Sequence, residues 1–363
     1  MQFSQKSKEH IDSCRFCWMC HHVCPIGNAT GLERNTARAR ALGLSVVMRD
    51  AIEYSDDIIK NVYECSLCGG CMTDCVTGWD PVMFTKEARL IAALEGKLPE
   101  YVEKMIENIE ATGNIYGIKD VDKALVDAIA KHSAKADTLL FLGKDATFKS
   151  PANAVNAIKA LEKAGVEFTV LADEPDSGYA MEFLVGAAEE TRQIAINTAK
   201  ALDYKTVVCY DPCDAKMFLR EYKEWGVDLK ADVVTFTTFL AKLVADGKLA
   251  VKNTGKAYTF NDPVHLARDL EETEAARNII AACGENREML LNGKYTMLAG
   301  NLVMNEYMPK VIETVAANRW INAENANAKV LVTASSAEYV MLNATKNNDI
   351  ELKTLEEVVL QCL

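Results

Sequence analysis

Two copies of one cysteine run constrain this chain more than any other feature. The first reads Cys14-Arg-Phe-Cys17-Trp-Met-Cys20-His-His-Val-Cys24 and is followed by Pro25. The second reads Cys65-Ser-Leu-Cys68-Gly-Gly-Cys71-Met-Thr-Asp-Cys75. Both have the spacing C-x2-C-x2-C-x3-C, and together they hold eight of the twelve cysteines. A structural zinc site usually takes two C-x2-C pairs separated by a longer loop, so a third cysteine after only two residues fits it badly. A disulfide framework belongs to small secreted folds and would be spread along the chain, whereas these cysteines crowd its head.

The run with its trailing proline is the signature of bacterial two-cluster ferredoxins, in which the fourth cysteine ligates the other cluster. Three closely spaced thiolates can wrap one face of a cubane, and the remaining iron takes its ligand from elsewhere. On that pattern one [4Fe-4S] cluster is expected on Cys14, Cys17, Cys20 and Cys75, and the other on Cys65, Cys68, Cys71 and Cys24. Each run then staples the other. With four thiolates present there is no vacancy for His21 or His22, which are expected beside the ligands or exposed. Val76 stands where the second run would carry proline, which loosens a turn without removing a ligand.

The 363 residues, 49% hydrophobic and 25% charged, suffice for two or three domains with cores of their own. A formal charge of −12 argues against nucleic acid as a partner. No apolar run approaches the ~18 residues of an integral membrane segment, and the opening residues lack the apolar core of a secretory signal. The expected location is cytoplasmic, with attachment to the periphery of a membrane complex left open.

Residues 32–62, between the runs, contain no proline and only Gly43 as a breaker, and their apolar spacing is helical. Residues 1–90 therefore read as an α-helical ferredoxin with two [4Fe-4S] motifs, and 91–135 as a helical linker. From Ala136 short β-rich runs alternate with amphipathic helices. Strands are expected at 137–143, 167–172, 205–210 and 232–237, with helices over 151–164, 180–202, 214–225 and 238–247. Residues 256–262 parallel 137–143, and 329–342 parallel 205–219. The fold class is thus α + α/β, a helical ferredoxin before a duplicated α/β body with mostly parallel sheets. The two α/β domains span 136–250 and 251–363.

Small soluble two-cluster ferredoxins join their motifs by short hairpins, so the long helical insert resembles instead the helical domain of fumarate reductase iron–sulfur subunits and of the heterodisulfide reductase small subunit. The whole chain resembles the heterodisulfide reductase-like iron–sulfur family, which includes iron–sulfur subunits of anaerobic glycerol-3-phosphate dehydrogenase, glycolate oxidase and lactate-utilisation complexes. Asn261-Asp262-Pro263-Val264-His265-Leu266-Ala267-Arg268 resembles that family's D-P-C-H-L-x-R turn, and Val208-Cys209-Tyr210-Asp211-Pro212-Cys213 resembles the end of its first cysteine-rich domain. The resemblance implies two "CCG" domains whose cysteines bind a further centre. Here Val264, Leu298-Ala299-Gly300, Ala334-Ser335-Ser336-Ala337, Asp176-Ser177-Gly178 and Gly143-Lys144 stand at those positions. Valine, alanine and serine offer iron no soft anionic donor, so the body is expected to have lost that centre.

Cys209, Cys213, Cys283 and Cys362 remain and are expected as buried small side chains. A residual metal or redox site on Cys209, Cys213 and His265 is the alternative. The acidic pairs Asp173-Glu174, Glu189-Glu190 and Glu271-Glu272 are expected to be solvated. No P-loop, dinucleotide turn or nucleophile elbow is present. The resulting expectation is an electron-transfer subunit without chemistry of its own. It would relay single electrons through two [4Fe-4S] clusters between a flavoprotein or metalloenzyme partner and another carrier. A heterodisulfide- or quinone-type reductase retaining the residual site is the alternative, and a non-redox scaffold with structural clusters ranks last.

Overall fold

The computed structural model describes residues 2–15, 17–346 and 349–363. The chain gathers into two units, neither of them a continuous stretch. One comprises residues 1–117, 178–193 and 303–315; the other comprises 118–177, 194–302 and 316–363.

The first unit is helical, as its patterning implies. Helix starts are written in the sequence: Ser4 accepts from the Ser7 N–H, Thr36 from Ala39, and Asp80 from Met83 just ahead of Pro81. These caps open helices Gln5–Ser13, Ala37–Met48 and Pro81–Leu94. Helix Asp56–Tyr63 closes the insert, burying Ile59, Val62 and Tyr63. Each cysteine run carries its third cysteine on a five-residue helix, Met19–Val23 or Gly70–Asp74, and the two pack against each other. Both are entered through a left-handed residue, Trp18 (φ 73°) in one and Gly69 (φ 72°) in the other. Glycine takes that conformation at no steric cost, whereas Trp18 bears a strain of about 1 kcal/mol.

The second unit contains two parallel sheets. Strands β1 (Thr138–Phe141), β2 (Thr206–Cys209) and β3 (Asp232–Thr235) lie in that order. The segment around Thr169 bridges the other edge of β1 through Leu139, short of the full strand expected at 167–172. In the second sheet β4 (Ala257–Phe260), β5 (Glu285–Asn286), β6 (Val330–Thr333) and β7 (Glu351–Thr354) stand in the order β5-β4-β6-β7. With Thr169 counted, both sheets have one plan: the opening strand is flanked first on one side and then on the other. The strand order thus reverses beside β1 and beside β4. Open α/β sheets place ligands at the strand C-termini where that reversal falls.

One apolar core runs through both sheets, from Leu140 and Val208 to Tyr258, Phe260, Val330 and Val332. The helix expected over 180–202 is two, Tyr179–Val185 and Glu189–Ala201. They part at Gly186 (φ 63°), where a Cβ would lie 2.9 Å from the Lys86 carbonyl oxygen. The helix expected over 214–225 starts at Pro212 and passes through a π-helical turn at Met217–Glu221. A second such turn occupies His265–Asp269.

Candidate iron–sulfur site

Cys24, Cys65, Cys68 and Cys71 line one cavity with Arg40, closed by the apolar Val23, Ile26, Pro81 and Val82. Cys24 thus sits with the three leading cysteines of the other run. Burial, opposed by Arg40, pushes the Cys24 thiol up to about 12, and burial with its neighbouring sulfurs pushes Cys71 well above its ordinary value. The first run makes its own group. Burial raises the Cys20 thiol, and Cys14 and Cys17 add to the rise, while the Arg38 N–H works against it. Cys17 is exposed, Cys20 buried, and Cys14 and Cys75 half-buried. The Cys75 sulfur lies 3.2 Å from the Thr77 hydroxyl. The two groups are not placed alike, the first lying nearer the surface.

Four thiolates in a closed apolar cavity would repel one another, and a positively charged iron–sulfide core removes that repulsion. The donor set therefore fits such a group. Among the described residues no group of three or more His, Cys, Asp or Glu is placed to hold a single metal ion. Backbone N–H groups face the sulfurs, Gly27 at 3.4 Å from Cys24 and Leu67 at 3.4 Å from Cys65. His21 is half-buried, 3.6 Å from Glu33, and His22 is exposed. Val76 is 85% exposed, so the missing proline affects only a surface turn.

Residues 10–79 match the 4Fe-4S dicluster domain family. The chain is 27% identical over 302 residues to a dihydromethanophenazine:CoB-CoM heterodisulfide reductase subunit of Methanosarcina acetivorans, covering 75% of this chain and 72% of that one. It is 27% identical over 338 residues to a probable membrane-anchored ferredoxin of Chromohalobacter salexigens, covering 80% of this chain and 50% of that one. An EtfAB:quinone oxidoreductase of Syntrophomonas wolfei is 23% identical over 336 residues, or 78% of this chain and 46% of that one. Among solved structures, glutamate racemase isoform RacE1 of Bacillus anthracis aligns at 14% identity with a TM-score of 0.33, covering 64% of this chain and 80% of that one; the likeness is too slight to bear on fold or chemistry. The region that carries both cysteine runs is thus a 4Fe-4S dicluster domain by its family match. Over most of its length the chain is similar to heterodisulfide reductase subunits, as the sequence resemblance implied. Among the described residues no helix is long and apolar enough to cross a membrane.

The positions where the resemblance would put further thiolates also converge. Ser177 meets Asp214 through a short hydrogen bond at 2.5 Å, and a Cβ on Gly300 would lie 2.6 Å from the Ala337 carbonyl. Asp211 accepts from the N–H groups of Cys213 at 3.2 Å and Ser336 at 2.9 Å. Burial, reinforced by Asp211, raises the Asp214 carboxyl well above its usual range. Glu338 accepts from Asn261 at 2.7 Å and Thr333 at 2.9 Å. Oxygen groups hydrogen-bonded to the protein itself fill these strand ends, a donor set that suits hard cations and not a thiolate-bound iron centre.

Cys209, Cys213, Cys283 and Cys362 are all buried. Burial holds the Cys209 and Cys213 thiols well above their ordinary values, aided by Asp214 and Asp211 respectively. His265 pairs through Nδ1 with Asp269 at 2.7 Å. Burial works against the Asp269 charge, but His265, Lys216 and Arg220 hold that carboxyl below its usual range. One expectation is corrected: Glu174 is not solvated. It is 9% exposed and accepts the N–H groups of Leu142 and Gly143, each at 2.7 Å, where β1 ends and those donors have no strand partner. Glu189, Glu190 and Glu271 are exposed, and Glu272 accepts from Thr235 at 2.6 Å.

Sequence reading missed Arg40 and Arg89. Arg40 lies on the buried stripe Ala37, Arg40, Ala41, Leu44 and Val47, and Arg89 lies among Thr85, Ala88 and Ala92. A cation on an otherwise apolar helical stripe is the signal that could have found both.

Proposed function

We propose that the chain is the electron-relay subunit of a multi-subunit oxidoreductase, holding two clusters with exchanged fourth ligands. One set is Cys14, Cys17, Cys20 and Cys75; the other is Cys65, Cys68, Cys71 and Cys24. The observation that carries this reading is the grouping of Cys24 with Cys65, Cys68 and Cys71 around one cavity. Bound there, [4Fe-4S] clusters supply one-electron oxidation and reduction.

The residues of the chain bind, orient and enclose. The packed helices Met19–Val23 and Gly70–Asp74 hold the two runs together, and the apolar wall of Val23, Ile26, Pro81 and Val82 keeps water from the second set. The exposed Cys17 leaves the first set open to a partner. The α/β halves at 136–250 and 251–363 descend from one duplicated unit, a reading supported by their shared strand plan, and serve as a scaffold. Partners are other subunits, a flavoprotein or a metalloenzyme among them, and the subunit is cytoplasmic or at the periphery of a membrane complex.

The test is electron flow from a chemical reductant to an artificial acceptor in the anaerobically prepared protein. Cys20→Ala and Cys71→Ala should each abolish it while partner binding partly survives. Full retention of flow in either variant contradicts the relay.

A further inference from the structure

The buried arginines of the described residues are Arg40, Arg89 and Arg319, and the first two belong to the helical unit. Arg40 is 2% exposed and Arg89 fully buried. Arg40 donates through Nε to the Asn61 carbonyl at 3.1 Å and through Nη2 to Asn35 at 3.1 Å and Glu64 at 3.4 Å. Arg89 donates through Nη2 to the carbonyls of Cys65 at 2.6 Å and Val62 at 3.1 Å, and through Nη1 to Phe183 at 2.5 Å. Its Nε finds no acceptor, and its guanidinium lies over the rings of Phe183 at 4.4 Å and Tyr63 at 5.0 Å.

Among the described residues neither arginine meets a carboxylate. The carboxylate closest in sequence to their partners, Glu64, is taken by Arg34 at 3.2 Å and by the amides of Asn35 and Asn61. Carbonyl dipoles solvate a guanidinium only in part, and a cation without an anion is costly to bury. Both cations lie at the second cysteine group, one at its cavity and one at its backbone. Arg40 lines that cavity, and Arg89 holds the Cys65 carbonyl.

Among the described residues the first group has no buried arginine beside it. Arg38, stacked over Trp18 at 4.1 Å, is neutralised by Glu33 at 2.7 Å, and Arg15 is exposed. N–H donors to sulfur occur in both groups, at Cys24 and Cys65 in one and at Cys20 in the other, so they do not separate the two.

We infer that Arg40 and Arg89 are built-in counter-charges that raise the reduction potential at Cys24, Cys65, Cys68 and Cys71 above that at Cys14, Cys17, Cys20 and Cys75. This rests on the two-cluster relay reading. Four thiolates around the iron–sulfide core leave a net negative charge that grows by one on reduction, and an adjacent buried cation favours the more negative state. With clusters bound, the set open at the exposed Cys17 would take an electron from a reduced donor subunit and be reoxidised by the set beside Arg40 and Arg89, which would hold that electron. No bond or proton need move. The arginines are positioning residues that fix the resting place of the electron.

The test is an EPR-monitored redox titration of the full chain, anaerobically purified. The wave of the second centre is assigned by Cys68→Ser. Arg89→Gln should lower that wave alone, by at least the tenfold change in electron partition that corresponds to 59 mV for one electron. Arg89→Lys, which keeps the charge, should restore most of it, and Arg38→Met should leave the second wave where it is. Arg40→Gln gives the same reading if Arg89→Gln does not fold. Unmoved potentials, or equal shifts of both waves, overturn the inference while the relay stands. Absence of two cluster signals in the unaltered chain overturns both.

Discussion

Glu338 offers the sharpest test of how the emptied strand ends are stabilised. The residue is 2% exposed at the reversal beside β4, and burial pushes its carboxyl up to about 8; Thr333, Asn261 and Arg319 offset only part of that rise. An unfolded glutamate titrates near ~4.3. Between those values the folded chain keeps a proton that the unfolded chain has released, so this group makes stability fall as pH rises. Its contribution is complete below ~4.3 and gone above about 8. At about 1.36 kcal/mol per pH unit, the loss between pH 6 and pH 8.5 is roughly 2–3 kcal/mol. Glu174 and Glu356, each pushed by burial to about 7, tilt the curve the same way, so the difference between native and variant isolates Glu338. Glu338→Gln stays neutral at every pH. Urea unfolding followed by circular dichroism should show the variant gaining roughly 2–3 kcal/mol on the native chain from pH 6 to pH 8.5. A gap that does not change with pH would refute the reasoning, since the carboxyl would then titrate alike in both states.

Two further outcomes follow from the same geometry. Cys24→Ala, although it lies in the first run, should strip the centre of Cys65, Cys68 and Cys71 and leave that of Cys14, Cys17 and Cys20, so EPR should lose the second signal; loss of the first would break the exchange of ligands. Trp320→Ala empties a site 1% exposed and leaves the Leu342 carbonyl without its 3.0 Å donor. Chemical denaturation should register a loss of about 3–5 kcal/mol, and a loss below about 1 kcal/mol would mean the site collapses freely.

Much of the fold was legible because its causes are local. Ser4, Thr36 and Asp80 announce helix starts, and the apolar runs of β1, β2, β4 and β6 stand between polar breaks. The grouping of Cys24 with Cys65, Cys68 and Cys71 followed from the tight spacing, which leaves few alternatives. What escaped depends on distant contacts. The break at Gly186 exists because the Lys86 carbonyl comes too close for a side chain. Glu174 looked like half of a surface acidic pair, yet it completes the end of β1 by accepting two N–H groups. The segment 167–172 has strand composition, but only Thr169 finds the edge of β1. Arg40 and Arg89 stand as cations on apolar stripes, but only the fold puts one at the sulfur cavity and the other on the Cys65 carbonyl.

The most direct measurement is iron and acid-labile sulfide in the anaerobically purified chain. Two cubane centres predict about eight of each per chain. Four or fewer would contradict the paired sites, and clearly more would mean that the α/β body still holds a centre of its own.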